Sequence, residues 1–174
     1  NSIESEVMIY MYLGYYYEFA NEYKDYDKSE YYFQKAYKMS DQVTNALKIS
    51  CITGLANMAF YNGDRYKEIE YHELNHDIIS RLNNRRRLVE SYFNLHKNYS
   101  FPLSDFNKAD ELLEKALSYK SMLTSFEYNE RRIYSGKGSL NLLAGKFDNA
   151  LNHFTKMNNV DMKLSDWMFF NNNK

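Results

Sequence analysis

The sequence contains very few of the residues that crosslink or interrupt a chain. Its 174 residues include one cysteine, one proline and six glycines. A single cysteine cannot form an intrachain disulfide or a thiolate metal cluster. Cys51 lies among Ile49, Ile52 and Leu55, so we expect a buried structural thiol rather than a reactive one. The scarcity of proline and glycine leaves little material for sheet turns or flexible linkers.

An excess of charge of one sign is also absent. The formal net charge is -1, whereas nucleic-acid binding usually requires a concentrated basic face. The basic cluster Arg85–Arg87 is interpreted as a solvated helix start, and phosphate contact there is the weaker alternative. We therefore expect no direct nucleic-acid binding by this segment.

No apolar run is long enough to span a bilayer, and no secretory segment opens the chain. These features predict a cytoplasmic location and no membrane partner. The sequence begins at Asn1 without a methionine, which is compatible with a fragment of a longer protein.

Aromatic residues are abundant, with 18 tyrosines and 11 phenylalanines. A short signature recurs that begins with Tyr26, Tyr66, Phe106 and Phe147, at separations of 40, 40 and 41 residues. Each aromatic residue is followed by two polar residues and, in most copies, a small one. A period between about 20 and 50 residues is typical of stacked supersecondary units rather than one globular core.

Each repeat is predicted to contain an A helix, a turn and a B helix. In the B helices, offsets of three, four and three residues place the apolar positions on one face. Turns are expected at Gly63, around Pro102 and at Gly145, because glycine ends helices and proline cannot continue one. We expect one repeat domain over 1–174, with repeats at 4–40, 43–83, 86–120 and 125–157. A partial fifth helix at 161–170 would cap the stack through Trp167 and Phe169.

The predicted fold class is all-α: a right-handed superhelical solenoid of helix-turn-helix repeats with a period near 40 residues. The second B helix breaks the pattern, since Glu73 and His76 replace apolar residues. Either this helix packs in a shifted register that uses Leu74, Ile78 and Ile79, or its polar groups face another subunit.

The pattern resembles tetratricopeptide repeats (TPR) across essentially the whole chain. Leu13-Gly14-x-x-Tyr17 and the pattern Tyr/Phe-x-x-Ala-x-x-x-Phe-x-x-Ala carry this resemblance. The period is forty instead of thirty-four, and no proline closes the repeats. Long, Tyr- and Asn-rich repeats of this kind resemble the regulatory domains of RRNPP regulators, the peptide-sensing proteins of Gram-positive bacteria and their phages. That resemblance implies a quorum-sensing effector domain of a transcriptional regulator, with the output module outside these residues.

A candidate metal motif lies in the second B helix. His72-Glu73-Leu74-Asn75-His76 matches the zinc-protease pattern H-E-x-x-H, in which two histidines one turn apart bind Zn²⁺ and the glutamate acts as base. A catalytic zinc needs a third protein ligand, and Ile79 and Leu82 occupy the positions of the extended signature. We therefore expect a surface or packed histidine pair, no cofactor and no enzyme, with a zinc hydrolase as an alternative.

The Gly136-Lys137-Gly138-Ser139 run partly resembles a phosphate-binding loop. It lacks the first glycine and the preceding strand that such a loop requires. It is interpreted as a helix with packing glycines.

The concave groove is the favoured binding site if the A helices line it. Asparagine can donate to and accept from a peptide backbone, tyrosine offers a large contact area, and Lys97 and Arg132 could hold a carboxylate. The candidate groove residues are Tyr15, Glu18, Thr53, Asn57, Tyr61, Phe93, Lys97, Arg132, Ser135 and Ser139.

The favoured function is a sensor domain that binds a short peptide or protein segment and changes curvature through a population shift. A homodimer is expected. The alternative from another functional class is a protein-interaction scaffold or dimerisation module that uses exposed aromatic residues such as Tyr31, Tyr32 and Tyr37. The sequence does not identify the ligand or any neighbouring domain.

Overall fold

The computed structural model describes residues 2–101, 103–123 and 126–172, with side chains up to Lys163. These residues form eight α-helices and no strand. The helices are α1 (Ile3–Phe19), α2 (Tyr26–Lys38), α3 (Asn45–Tyr61), α4 (Arg65–Arg81), α5 (Arg85–Ser100), α6 (Phe106–Ser118), α7 (Glu127–Leu143) and α8 (Phe147–Asn172). The odd-numbered helices are the A helices of the four repeats, and the even-numbered helices are the B helices. The predicted all-α, TPR-like fold class is confirmed.

Local chemistry explains where the helices begin. Side-chain oxygens of Asp25, Asp64, Asn84 and Asp105 accept hydrogen bonds from the backbone N–H three residues later. Such N-caps satisfy donors that the first helical turn leaves without partners. The cap at Asn84 places Arg85–Arg87 in the first turn of α5, which agrees with their interpretation as a helix start.

Two glycines end A helices. Gly63 and Gly145 adopt φ angles of 75° and 72°, a left-handed conformation that glycine reaches without steric penalty. Beyond each glycine a backbone N–H reaches back five residues, from Asp64 to Ala59 and from Lys146 to Asn141. These bonds satisfy carbonyls at the helix end. The turn predicted at Pro102 falls on a residue outside the described part.

The chain divides into two compact units, 1–83 and 84–174. In the first unit, α1 packs on α2, α2 on α3 and α3 on α4. In the second unit, α5, α6, α7 and α8 pack consecutively in the same way. Each unit therefore holds two helical hairpins, and the expectation of a single repeat domain stays a prediction.

In two of the four hairpins an aromatic ring of the B helix lies over a glycine of an A helix. Phe33 of α2 is fully buried, and a Cβ placed on Gly14 of α1 or Gly54 of α3 would lie 2.8 Å or 2.4 Å from its ring. Phe154 of α8 has the same relation to Gly138 of α7, at 2.5 Å. Glycine at these positions allows the helices to approach the ring closely.

The second B helix keeps Ile69 in the expected register and departs from it only farther along the helix, which supports the shifted register in part; a contact of its polar groups with another subunit stays a prediction. Ile69, Asn75 and Ile79 of α4 are buried, whereas Glu73 is exposed. Leu74 and Ile78 are half-buried. Glu73 stands seven residues after Tyr66, the position that Phe33 and Phe154 hold in their helices, and a carboxylate cannot occupy such an apolar site cheaply. The second half of the helix therefore buries Asn75 and Ile79 instead.

The predicted break after the fourth B helix is not observed. We expected a helix at 147–157 and a separate one at 161–170, but α8 continues through both. Residues 158–160 include neither glycine nor proline, so nothing in the local sequence ends the helix. The capping role expected of Trp167 and Phe169 concerns side chains outside the described part.

Candidate functional site

A cavity in the second unit lies between the two A helices α5 and α7. Its volume is about 350 Å³. It is lined by Phe93, His96, Lys97, Ser100, Phe101, Arg131, Arg132, Ser135, Gly136, Ser139, Leu140 and Leu143. All five groove residues predicted in this unit are among them. We call this cavity the α5–α7 pocket.

Aromatic and cationic groups dominate one wall of the α5–α7 pocket. The Arg132 guanidinium carbon lies 3.8 Å from the ring centroid of Phe93, and Lys97 Nζ lies 4.9 Å from the same centroid. Arg132 Nη1 also donates to Glu90 Oε1 at 2.9 Å and Oε2 at 2.7 Å. The ring and the carboxylate together fix the position of the guanidinium.

Lys97 differs from the two arginines of the pocket in its pairing. Arg131 Nε lies 2.6 Å from Asp161 Oδ1, and Arg132 is held by Glu90. Within residues 2–163 no carboxylate lies within ion-pairing distance of the exposed Lys97 ammonium group. The pocket therefore presents one cation whose charge is not already compensated by a described side chain.

His96 forms part of the pocket floor and is neutral. It is 5% exposed, and its Nδ1 lies 2.5 Å from the carbonyl oxygen of Phe93. Burial, opposed by the bond to the Phe93 carbonyl and aided by the nearby Lys97 and Arg132, lowers the pKa of His96 to about 4. Because the carbonyl can only accept, Nδ1 carries the proton and donates, which leaves Nε2 as an acceptor.

The apolar part of the pocket comes from side chains that sequence reasoning did not select. Phe101 and Leu143 remain 74% and 58% exposed, and Leu140 is buried beside them. Leu140 and Leu143 follow Gly136 by four and seven residues, so they share its face of α7. This periodicity was available in the sequence. The position of Phe101 was not, because it depends on how the chain leaves α5.

The five groove residues predicted in the first unit have mixed environments. Glu18 is 1% exposed and accepts a hydrogen bond from Asn57 Nδ2 at 3.0 Å. Burial raises the pKa of Glu18, and the Asn57 bond and Lys24 oppose that rise. Glu18 Oε2 has no hydrogen-bond partner among the described residues. Tyr15, on the same helix, packs edge-on against Phe33 at 4.9 Å.

Thr53 and Tyr61 lie elsewhere on α3. Thr53 donates to the Ile49 carbonyl and accepts from Asn75 Nδ2 at 3.0 Å, so its hydroxyl is used within the helix packing. Tyr61 is 43% exposed and stacks on Tyr26 with ring centroids 4.5 Å apart. The structure thus joins Glu18 to Asn57 and leaves Thr53 in a packing contact.

The histidine motif lies within α4, as predicted. His72 Nε2 is 3.8 Å from Glu68 Oε1, one turn earlier on the same helix. Throughout the described part of the chain, no three His, Cys, Asp or Glu side chains lie where they could share a metal ion. Glu90, the downstream carboxylate on the next helix that could most plausibly supply a third ligand, is paired with Arg132. Metal analysis of the purified protein tests the zinc alternative.

The Gly136–Ser139 run serves packing and ion pairing. Lys137 is 3% exposed and contacts Asp110 Oδ1 at 2.7 Å and Glu114 Oε1 at 2.6 Å. Gly136 and Gly138 face Leu113 and Phe154. Cys51 is likewise buried, and burial raises the pKa of its thiol to about 11. The predictions of packing glycines and a buried thiol are confirmed.

Comparison with known proteins gives structural likeness without sequence matches. No protein-family model matches the chain, and no curated protein matches it. BtubC from P. vanneervenii has a TM-score of 0.79 at 18% identity, covering 95% of this chain and 66% of BtubC. RapI, solved in its apo form, has a TM-score of 0.77 at 18% identity, covering 95% of this chain and 59% of RapI.

A third similar structure is a Podospora anserina protein described as a kinesin light chain with nearly identical TPR-like repeats. Its TM-score is 0.75 at 15% identity, with 92% of this chain and 77% of that chain covered. The chain thus spans less than two thirds of the length of BtubC and of RapI. None of the described helices combines the length and apolar character needed to cross a membrane. The structure and these neighbours establish a TPR-like helical-repeat fold.

Proposed function

We propose that this chain is the peptide-binding regulatory domain of a transcriptional regulator and that the α5–α7 pocket holds part of the ligand. The observation that carries the proposal is the position of Lys97 beside Phe93 and an exposed apolar wall in one cavity. The sequence resemblance to RRNPP regulatory domains and the shared fold with RapI support it. The function of the intact protein is part of the same proposal.

The chemistry of the pocket suits a short segment with one carboxylate and one bulky apolar group. Lys97 can form a charge-assisted hydrogen bond with the carboxylate, and the apolar wall can cover the other group. Neutral His96 can accept from a ligand N–H through Nε2. Together these three contacts would select a ligand by its charge, its apolar bulk and its backbone polarity.

A ligand in this pocket touches both α5 and α7. Ligand contacts on two successive A helices favour one packing arrangement of those helices over others. A linked output module would respond to that difference. This gives a regulatory mechanism that needs no chemical step in the pocket.

Titration calorimetry with a pentapeptide library tests the proposal. We expect free C-terminal carboxylates with a bulky apolar residue to bind, and their C-terminal amides to bind at least about tenfold more weakly. The Lys97→Gln variant should lose a similar factor, because a hydrogen bond to a charged group is worth about 1.5–3 kcal/mol.

The matched control is Lys108→Gln, which removes a half-buried lysine of α6 that pairs with Glu111. It should leave affinity unchanged. Asn57→Ala tests the predicted groove residues of the first unit in the same assay. If no peptide of the library binds, or if the Lys97 variant binds as tightly as the parent, the proposal is wrong.

The scaffold alternative is favoured by the exposed aromatic residues of the first unit. Tyr31 is 51% exposed and packs against Tyr32 with centroids 5.3 Å apart, whereas Tyr37 is half-buried. A protein partner that binds this chain unaffected by the Lys97 substitution would favour the scaffold function over the sensor function.

A further inference from the structure

The helix α1 carries apolar side chains on both of its faces. Its inner face buries Val7 and Gly14. Its outer face carries Ile9, Tyr12, Tyr16 and Phe19, which are 56%, 66%, 48% and 63% exposed. Their spacings of three and four residues place them on one stripe, which we call the α1 stripe.

A helix at a protein surface normally carries polar residues on its outer face, and a helix that is apolar all round is normally buried. The helix α3 illustrates the buried case, because it is similarly apolar and buries eight of its residues. The α1 stripe has the composition of a covered face, yet no described residue of the chain covers it. Single exposed apolar residues are ordinary, but a contiguous stripe marks an interaction site.

The side chains of the stripe suit a close contact. None of its four residues is charged, so covering them desolvates no ion. Tyr16 stacks on Tyr23 with centroids 6.2 Å apart, and Phe19 stacks on Tyr15 at 6.2 Å. Rings that are already ordered by their neighbours lose little rotamer freedom on docking.

The size of the surface favours a second copy of the chain as the occupant. With the flanking Met8 and Tyr23, which are 39% and 61% exposed, the surface offers about 600 Å² per copy, taking about 150–250 Å² for a full aromatic side chain. Two such surfaces would bury about 1,200 Å², the lower limit for a stable specific interface. An uncharged stripe on a single helix is self-complementary, as a symmetric interface requires.

We propose that the α1 stripe is the contact surface of a symmetric homodimer, in which α1 of one copy packs antiparallel on α1 of a second copy. The antiparallel arrangement opposes the two helix dipoles favourably. This contact is separate from the α5–α7 pocket, so it stands whether or not that pocket binds a peptide.

Sedimentation equilibrium of the full chain and of Tyr12→Glu tests the proposal. We expect the parent to dimerise and Tyr12→Glu to raise the dimer dissociation constant at least about 100-fold, because a symmetric contact would bury two unpaired charges. The matched control is Tyr66→Glu, the same change at a residue of α4 that is 71% exposed. It should dimerise like the parent.

Disulfide trapping gives a second, independent readout that does not depend on an added charge. Because only a position near the two-fold axis meets its own copy, at least one of the single Tyr12→Cys and Tyr16→Cys variants should crosslink on oxidation, whereas Tyr66→Cys should not. The native Cys51 is buried and should stay unreacted in the parent. A monomeric parent, a Tyr12→Glu variant that remains dimeric, or crosslinking through position 66 alone would overturn the proposal.

Discussion

At the scale of single residues, the α5–α7 pocket depends on which groups are already paired. Sequence spacing selected Lys97 and Arg132 equally as carboxylate ligands. In the structure Arg132 is held by Glu90 and Phe93, whereas no described carboxylate pairs with Lys97. Glu90 lies 42 residues from Arg132, so local sequence gave no indication of this contact. Lys97 is therefore the residue that we expect to bind the carboxylate of a ligand.

The buried His96 predicts a pH dependence of stability. Its pKa in the folded chain is about 4, below the ordinary value near 6.5. The unfolded chain therefore takes up a proton first as the pH falls, and stability that is fully present above pH 6.5 is lost towards pH 4. A pKa difference of this size between the folded and unfolded chain corresponds to roughly 3 kcal/mol of unfolding free energy.

Urea denaturation at several pH values measures this loss. His96→Asn keeps a donor for the Phe93 carbonyl without a titrating ring, so its unfolding free energy should fall less steeply between pH 6.5 and 4. Because the parent and the variant share all their other titrating groups, the difference between their curves reports on His96 alone. Parallel curves for the two proteins would show that His96 does not titrate as described.

At the scale of helices, the repeats differ in what each B helix presents at one position. Phe33 and Phe154 fill it with a ring against glycine, Leu113 fills it with a smaller side chain, and Glu73 leaves it. The same position in the repeat thus has three packing solutions. Where a phenylalanine ring of the B helix approaches, the facing A helix carries a glycine.

This difference predicts that two glycine substitutions lower the free energy of unfolding by different amounts. In Gly54→Ala the new Cβ would lie 2.4 Å from the fully buried Phe33 ring, which cannot move aside. We expect a loss of about 2 kcal/mol, since overpacking a core costs about 1–3 kcal/mol.

The matched control is Gly136→Ala, whose Cβ would meet His96 Nε2 at 3.0 Å and a Leu113 methyl at 3.1 Å. Small shifts relieve such contacts, and alanine gains about 1 kcal/mol over glycine in helix propensity. We expect near-neutral stability by thermal and urea unfolding. Equal losses in the two variants would contradict the role assigned to the Phe33 ring.

At the scale of the whole molecule, the described chain is built from two compact units with their own apolar clusters. Val89, Leu113 and Ile133 centre one cluster in the second unit. Phe33, Leu55 and Met58 centre another in the first. In repeat proteins stability is approximately a sum of repeat terms and nearest-neighbour terms.

The single repeat domain expected from the sequence predicts one cooperative unfolding transition for 1–174. Differential scanning calorimetry should give a calorimetric enthalpy equal to the van't Hoff enthalpy, as two-state unfolding requires. Separate expression of 1–83 and 84–174 supplies the comparison. Two resolved transitions, each matching one fragment, would instead identify two independent domains.

The sequence by itself determined the helices and their order. Aromatic and small residues at a fixed period, acidic or amide caps and two glycines act within a few residues, so their effect is readable without a structure. The break predicted at 158–160 from the repeat pattern is wrong, because these residues include no glycine or proline to end α8 there.

Tertiary structure decided which side chains meet. The register of α4, the pairing of Arg132 with Glu90 and the gathering of five predicted residues around one pocket depend on contacts between distant helices. A helix with apolar side chains on both of its faces, as α1 and α3 have, gives the sequence no preferred inner face. Only packing distinguishes the covered α3 from the α1 stripe, which no described residue covers, because burial is a property of the neighbours and not of the helix.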